Sequence, residues 1–177
     1  QALAAAAREP DSARRWTRLG RLLDVDRFIS YAAMEVLVGH RDGYCLDRNN
    51  YRIYHDPGTD RLVYLPHGMD MTFSSPNGPM RPRWSGATAR ALLETPEGER
   101  RYWERLAALS ATVFKGDKLQ ARLSEQAGRI RAALEVHDHA ALEDFETTLA
   151  RLRERVAGRA GFVEKEVKRG GKGKNEG

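Results

Sequence analysis

Apolar residues recur at helical spacing over most of this chain, and the alternating pattern of a strand is confined to one short region. Near the start, Trp16, Leu19, Leu22 and Leu23 form a stripe after the breaker "EPDS". That predicts one helix or two over residues 1–23, the second capped by Asp11 or Ser12. "DVDRFISYAAMEVLVGH" restarts a helix at Asp24 or Asp26. Phe28, Tyr31, Ala32 and Glu35 share one face, Val36 and Leu37 continue the apolar side, and Gly39 stands where a helix-ending glycine belongs. The strand-like runs "YRIY" and "RLVYLP" flank the turn "HDPGTD", which predicts a hairpin with strands near 51–55 and 61–65. "SSPNGPMRPRWSG" carries too much Pro and Gly for regular structure and reads as a long loop. Thr95 then caps a helix with Pro96 in its first position and Tyr102, Leu106, Leu109 and Val113 on its apolar face. A helix over about 117–136 follows, then one starting after "HDH" with Leu142, Phe145, Leu149 and Leu152, and a short one around 162–167. The fold class this predicts is mainly α with a small β-hairpin (α+β).

Length and composition narrow the setting. A chain of 177 residues buries one sizeable core, so one domain over 1–167 is expected. No run of 18 apolar residues exists, so no membrane span is predicted. The formal net charge is +5, but arginines alternate with acids along helical faces, which describes a solvated surface and argues against nucleic acid as a partner. Cys45 is the only cysteine, so neither an internal disulfide nor a thiolate zinc cage is possible. The last segment, "KRGGKGKNEG" (168–177), is Gly and Lys without apolar content and is predicted to be a disordered basic tail. The chain opens on Gln1 without the features of a signal peptide, which suggests excision from a longer protein and leaves the compartment unread.

The densest polar chemistry lies in "GHRDGYCLDRNNYRIYHDP", residues 39–57, at the junction of helix and hairpin. A hairpin returns the chain to its starting point, so Asp70 after the second strand is expected near Asn50 before the first, with Asp42 in the loop between helix and strand. Carboxylates and an amide converging there are oxygen donors suited to a hard cation such as Mg²⁺. They are also the equipment of phosphoryl transfer, in which one carboxylate handles the nucleophile's proton and an amide and a second carboxylate hold metal. Each residue has a plainer use too: Asp42 and Asp70 as turn acids, Asn49 and Asn50 as turn formers. His40, His55 and His67 allow a hydrolase-type metal site, with local hydrogen bonding as the commoner role. His137 and His139 flank Asp138, a helix N-cap. Arg81, Arg83 and Trp84 in the Pro-rich loop read either as a reader of an acidic or phosphorylated partner or as a solvated loop with one anchoring aromatic. Cys45 reads as a small packed thiol, and Trp16, Tyr102 and Trp103 as core.

The order of parts is that of a protein-kinase C-terminal lobe, and His40-Arg41-Asp42 spells the usual catalytic-loop triplet. The ordinary kinase spacing would require Asn at position 47, where Asp47 stands, and no Asp-Phe-Gly exists, since Met71 and Thr72 follow Asp70. The stretch "DVDRFISYAAMEVLVGHRDGYCLDRNNYRIYHDPGTDRLVYLPHGMDMTF", residues 24–73, instead resembles the CotH (spore coat protein H) kinases, as does "LLETPEGERRYWERL", residues 92–106. The resemblance implies an atypical kinase-like C-terminal lobe that transfers phosphate from ATP to protein Ser or Thr with Mg²⁺ or Mn²⁺. It implies Asp42 as the catalytic-loop carboxylate, Asn50 (or Asn49, the doubled Asn leaving the register open) as the metal-binding amide, and Asp70 as the metal-binding carboxylate. The family's first acid of a D-x-D pair is replaced by Gly68. Residues 1–23 offer no Gly-rich loop and no strand lysine, so the N-terminal lobe is expected to be missing from this chain, which alone should bind ATP poorly. The alternative is a decayed CotH-like domain acting as a coat or cell-surface interaction module, and the family suggests a spore-coat, envelope or secreted location.

Overall fold

The structure, a computed structural model, describes residues 1–172. Helices α1 (Ala2–Ala7) and α2 (Ser12–Leu22) are separated at the predicted breaker, and Asp11 caps α2 by accepting from the Arg14 amide at 2.7 Å. Asp24 caps α3 (Val25–Leu37) in the same way through the Arg27 amide. Helix α4 (Tyr44–Asp47) is a single turn, followed by the antiparallel strands β1 (Tyr51–Asp56) and β2 (Arg61–Pro66), paired from Tyr51 opposite Pro66 to Asp56 opposite Arg61. A 3₁₀ turn at Met69–Met71 leads into an irregular segment, then α5 (Ala87–Leu93), α6 (Pro96–Thr112), α7 (Gly116–His137) and α8 (His139–Lys172).

Helix α3 is the axis of the core. Its Phe28, Ile29, Ala32, Ala33, Val36 and Leu37 are buried, against Leu19 and Leu23 from α2 and its end, Leu92 and Leu93 from α5, and Tyr102 and Leu106 from α6. Each of the larger aliphatic and phenyl side chains among these contributes roughly 1.5–3 kcal/mol on leaving water. The hairpin is joined to this core by rings: Tyr64 packs edge-on to Phe28 at 5.0 Å and lies 4.7 Å from Tyr44 and 5.7 Å from Tyr51. The Asp24 amide donates to Leu62 O at 3.0 Å, pinning the α2–α3 junction to β2.

The mainly α architecture with one hairpin is as predicted, with three differences. Neither α4 nor α5 was anticipated, because both are short and begin at glycines without a side-chain cap, Gly43 and Gly86. The separate helix expected around 162–167 is part of α8, which continues through Gly158 and Gly161. Glycine in a helix costs about 1 kcal/mol relative to alanine, and here burial of Val156 and Val163 on the same helix opposes that cost. Helix α8 also runs on through Lys172, into the stretch expected to be a disordered tail; the rest of that expectation, 173–177, lies outside the described residues. No helix among the described residues is long and apolar enough to cross a membrane.

Candidate functional site

The site is built outward from the end of α3. Gly39 takes a left-handed φ of +60°, its amide donates to Val36 O at 3.1 Å and the His40 amide to Glu35 O at 2.8 Å. That pair of bonds is the Schellman ending, and it turns the chain sharply into His40-Arg41-Asp42. From the last turn of the same helix the Glu35 side chain, 3% exposed, reaches beneath the loop. Its two oxygens accept the Tyr44 amide at 2.9 Å and the Cys45 amide at 2.8 Å, the first donors of α4. Gly43 lies so close to this carboxylate that a Cβ there would overlap it. The loop carrying Asp42 is therefore clamped on both sides by one buried acid.

Asp42 is half-buried, and both of its oxygens are engaged. Oδ1 accepts from Asn49 Nδ2 at 2.9 Å and Oδ2 from Asn50 Nδ2. Both amides of the doubled Asn grip the same carboxylate. They differ in setting: Asn49 is exposed, while Asn50 is half-buried and sits at a φ of +38°, a left-handed conformation that Asn tolerates better than most residues. Asn50 Nδ2 also donates to Gly68 O at 3.3 Å, so this side chain ties the loop before β1 to the exit of β2. His40, fully buried, reaches the same carbonyl through Nε2 at 3.2 Å. Because a carbonyl only accepts, Nε2 is the donor of that bond. Nδ1 lies 4.0 Å from Glu35 Oε1 and has no hydrogen-bond partner.

Gly68 is the point where the two halves touch. It holds a φ of +52°, and a Cβ there would lie 2.8–2.9 Å from the Asn50 carboxamide atoms. An acid in the first D-x-D position would displace the amide that now holds Asp42, so glycine here and the seat of Asn50 go together. Asp70 lies two residues on, in the exposed 3₁₀ turn, with no hydrogen bond or ion pair among the described residues. The expected convergence is therefore direct for Asp42, Asn49 and Asn50, whereas Asp70 is linked to them through the backbone of Gly68.

The donor chemistry fits a hard divalent cation in one respect. Asn50 spends its nitrogen on Asp42 and Gly68, leaving Oδ1 as the donor atom of that amide, and Asp70 adds an uncommitted carboxylate. No group of three or more His, Cys, Asp or Glu side chains among the described residues could hold a metal by itself. Mg²⁺ commonly takes only one or two protein carboxylates and completes its shell with water and phosphate.

The remaining candidates separate. His55 pairs with Asp60 at 2.7 Å, His67 with Arg52 at 3.1 Å, and His40 is enclosed, so the three histidines form no cluster. Asp138 caps α8 through the Ala141 amide, leaving His137 and His139 as its flanks. Cys45 is buried, and burial followed by the nearby Glu35 carboxylate pushes its thiol well above the ordinary value. Arg81 pairs with Glu99 at 3.0 Å, Arg83 is exposed, and Trp84 is buried edge-on to Tyr102 as the anchor of the loop. Glu35, which does most to shape the site, was visible in the sequence only as one acid on an otherwise apolar helix face.

Beside the site, a cleft of about 420 Å³ opens between α3 and β2, bounded by Tyr31, Glu35 and His40 on one wall and Val63, Leu65 and Met69 on the other. Ile53, Tyr54, Leu65, Met69 and Met71 remain exposed on the hairpin and the turn after it.

No match was found among curated proteins. The family model described as CotH kinase protein matches residues 1–163 of the 177, and the chain belongs to the CotH kinase family.

Proposed function

We propose that this kinase-like domain serves ATP- and divalent-metal-dependent phosphoryl transfer to Ser or Thr of a protein substrate. The observation that carries the reading is the Asp42 carboxylate, fixed by both Asn49 and Asn50 at the mouth of the hairpin and joined through Gly68 to the turn bearing Asp70. Asp42 is the group that orients the attacking hydroxyl and receives its proton. The two amides hold its carboxylate in one rotamer, which places the acceptor before substrate arrives. Asn50 Oδ1 and Asp70 are the residues to hold Mg²⁺ or Mn²⁺, which supplies charge neutralisation for the transferred phosphate. His40 and Glu35 keep the two segments in register and exclude water from beneath the loop.

A second reading, a non-catalytic interaction module at a coat or cell surface, draws support from the exposed apolar side chains of the hairpin and from glycine at position 68. The deciding experiment follows phosphate transfer from labelled ATP by the full-length protein with Mg²⁺ or Mn²⁺, beside Asp42→Ala and Asp70→Ala. Metal-dependent labelling lost in both variants is the expected result. Absence of labelling, together with absence of metal-dependent nucleotide binding, sinks the catalytic reading and leaves the module.

A further inference from the structure

Arg159 is the largest fully buried side chain of the molecule among the described residues, 1% exposed, and no carboxylate pairs with it. Its guanidinium is satisfied almost wholly by backbone. Nε donates to Leu37 O at 3.1 Å and Nη2 to Val36 O, the carbonyls that end α3. Nη1 donates to Pro76 O at 3.0 Å and to Gly78 O at 2.6 Å, in the irregular segment after the Asp70 turn. Met80 Sδ lies 3.5 Å from Nη2, and the Phe162 ring lies 5.4 Å from the guanidinium carbon.

A buried cation without a counter-ion is an expensive way to fill a core, and an apolar side chain of similar volume is often no worse for stability. What the guanidinium offers that an apolar chain cannot is a rigid planar fork with donors in fixed directions. Here the fork spans two segments at once. One is the end of α3, which continues directly through Gly39 and His40 to Asp42; the other follows Asp70. The partial negative charge at the α3 C-terminus favours a cation at this point. A single backbone bond beside it, from the Phe73 amide to Val38 O at 2.8 Å, joins the same two segments.

We propose that Arg159 is a positioning residue that sets the spacing of the Asp42 loop against the Asp70 turn, acting from outside both. Its role in transfer rests on the kinase reading above, whereas its role in spacing does not. The test compares Arg159→Met, which keeps volume, and Arg159→Lys, which keeps charge but loses the fork, in the full-length protein. Amide hydrogen exchange is read at Phe73, Gly78 and Gly43–Cys45, with α6 and α7 as internal controls. Both variants are expected to exchange about tenfold faster at those positions with the controls unchanged. In the transfer assay, kcat is expected to fall about tenfold with little change in KM for ATP. Uniformly faster exchange, controls included, would mean that Arg159 only supports the core, and would overturn the proposal. Wild-type behaviour of Arg159→Lys would overturn it too, since charge alone would then suffice. If the wild type transfers no phosphate, the kinase reading fails by itself and the exchange pattern still decides the spacing role. If Arg159→Met does not fold, Arg159→Lys carries both readings.

Discussion

The two arms of the candidate site are built in opposite ways. The Asp42 arm is over-determined: a Schellman turn sets its direction, Glu35 holds the amides beyond it, and two asparagines hold the carboxylate itself. The Asp70 arm is an exposed 3₁₀ turn between two exposed methionines, anchored from its flanks: through Gly68 O before it and, after it, through the Phe73 amide on Val38 O and through Arg159. The difference teaches where each group gets its order. On the proposed reading, a proton acceptor is placed before the substrate comes, so the protein fixes Asp42, whereas a metal-holding carboxylate such as Asp70 is left to be ordered by the cation and phosphate it would bind.

The hardest test of this contrast removes the clamp. Glu35→Ala leaves two backbone N–H groups buried without acceptors, and each such group costs about 1–3 kcal/mol. A loss of about 3 kcal/mol in urea denaturation is expected. Glu35→Gln, which keeps one acceptor oxygen, should lose about half of that. Equal stability of Glu35→Ala and wild type would mean that the loop is held by something else.

Alkali probes the same arm. Cys45 and Tyr31 are both held above their ordinary pKa, first by burial and then by Glu35. With the folded pKa raised, stability is intact below the unfolded value and declines as pH rises past it, because the unfolded chain releases the proton first. For an unfolded thiol near pH 8.5, the decline should reach about 2 kcal/mol by pH 10, steepening beyond as unfolded tyrosines ionise. Cys45→Ala should remove the part of the slope between about 8.5 and 10. Unfolding followed by denaturant at fixed pH values measures it, and a slope unchanged in the variant would count against the buried thiol.

Much of this was legible in the sequence, and unevenly so. Helix starts at Asp11, Asp24 and Thr95 and the hairpin were readable because each rests on a local rule, a cap or an alternation that needs no distant partner. Asp42, Asn50 and Asp70 were expected together because a hairpin returns the chain to its own beginning and because the stretch resembles the CotH kinases; the structure joins Asp42 to Asn49 and Asn50 directly and reaches the Asp70 turn through Gly68. What was hidden depends on contacts far apart in sequence. Glu35 was an acid on an apolar face until its target amides at 44 and 45 were in place. Helix α5 starts where the Thr88 amide donates to the Tyr44 hydroxyl at 3.0 Å, a cap lent by a residue from another helix. Nothing in the sequence marks Arg159 among the arginines of its helix, since the carbonyls it satisfies lie more than 80 positions away.

Smaller effects sharpen the boundary between the arms. Gly68→Ala must adopt a left-handed φ and push aside the Asn50 carboxamide, so a loss of about 1–2 kcal/mol is expected. The Asn pair gives a graded comparison. Asn50→Ala breaks the bonds to both Asp42 and Gly68 and should cost about 1 kcal/mol, against less than about 0.5 kcal/mol for the exposed Asn49→Ala. If the two cost the same, Asn50 does not link the arms.

The smallest stability effect should come from the residue with the most specialised proposed role. Asp70 has no hydrogen-bond or ion-pair partner among the described residues, so Asp70→Ala should leave the unfolding free energy within about 0.5 kcal/mol of wild type. If Asp70 helps to hold metal, the same variant should lose Mn²⁺ binding in the presence of ATP, read by the Mn²⁺ electron paramagnetic resonance signal. Asp42→Ala should do the reverse in kind: it leaves the Asn49 and Asn50 amides without their acceptor, lowers stability measurably, and weakens Mn²⁺ binding less. A carboxylate that is silent in folding and decisive in metal binding marks the arm that the ligand completes. If Asp70→Ala instead destabilised the fold and left Mn²⁺ binding untouched, that turn would be a structural element and the division between the arms would be lost.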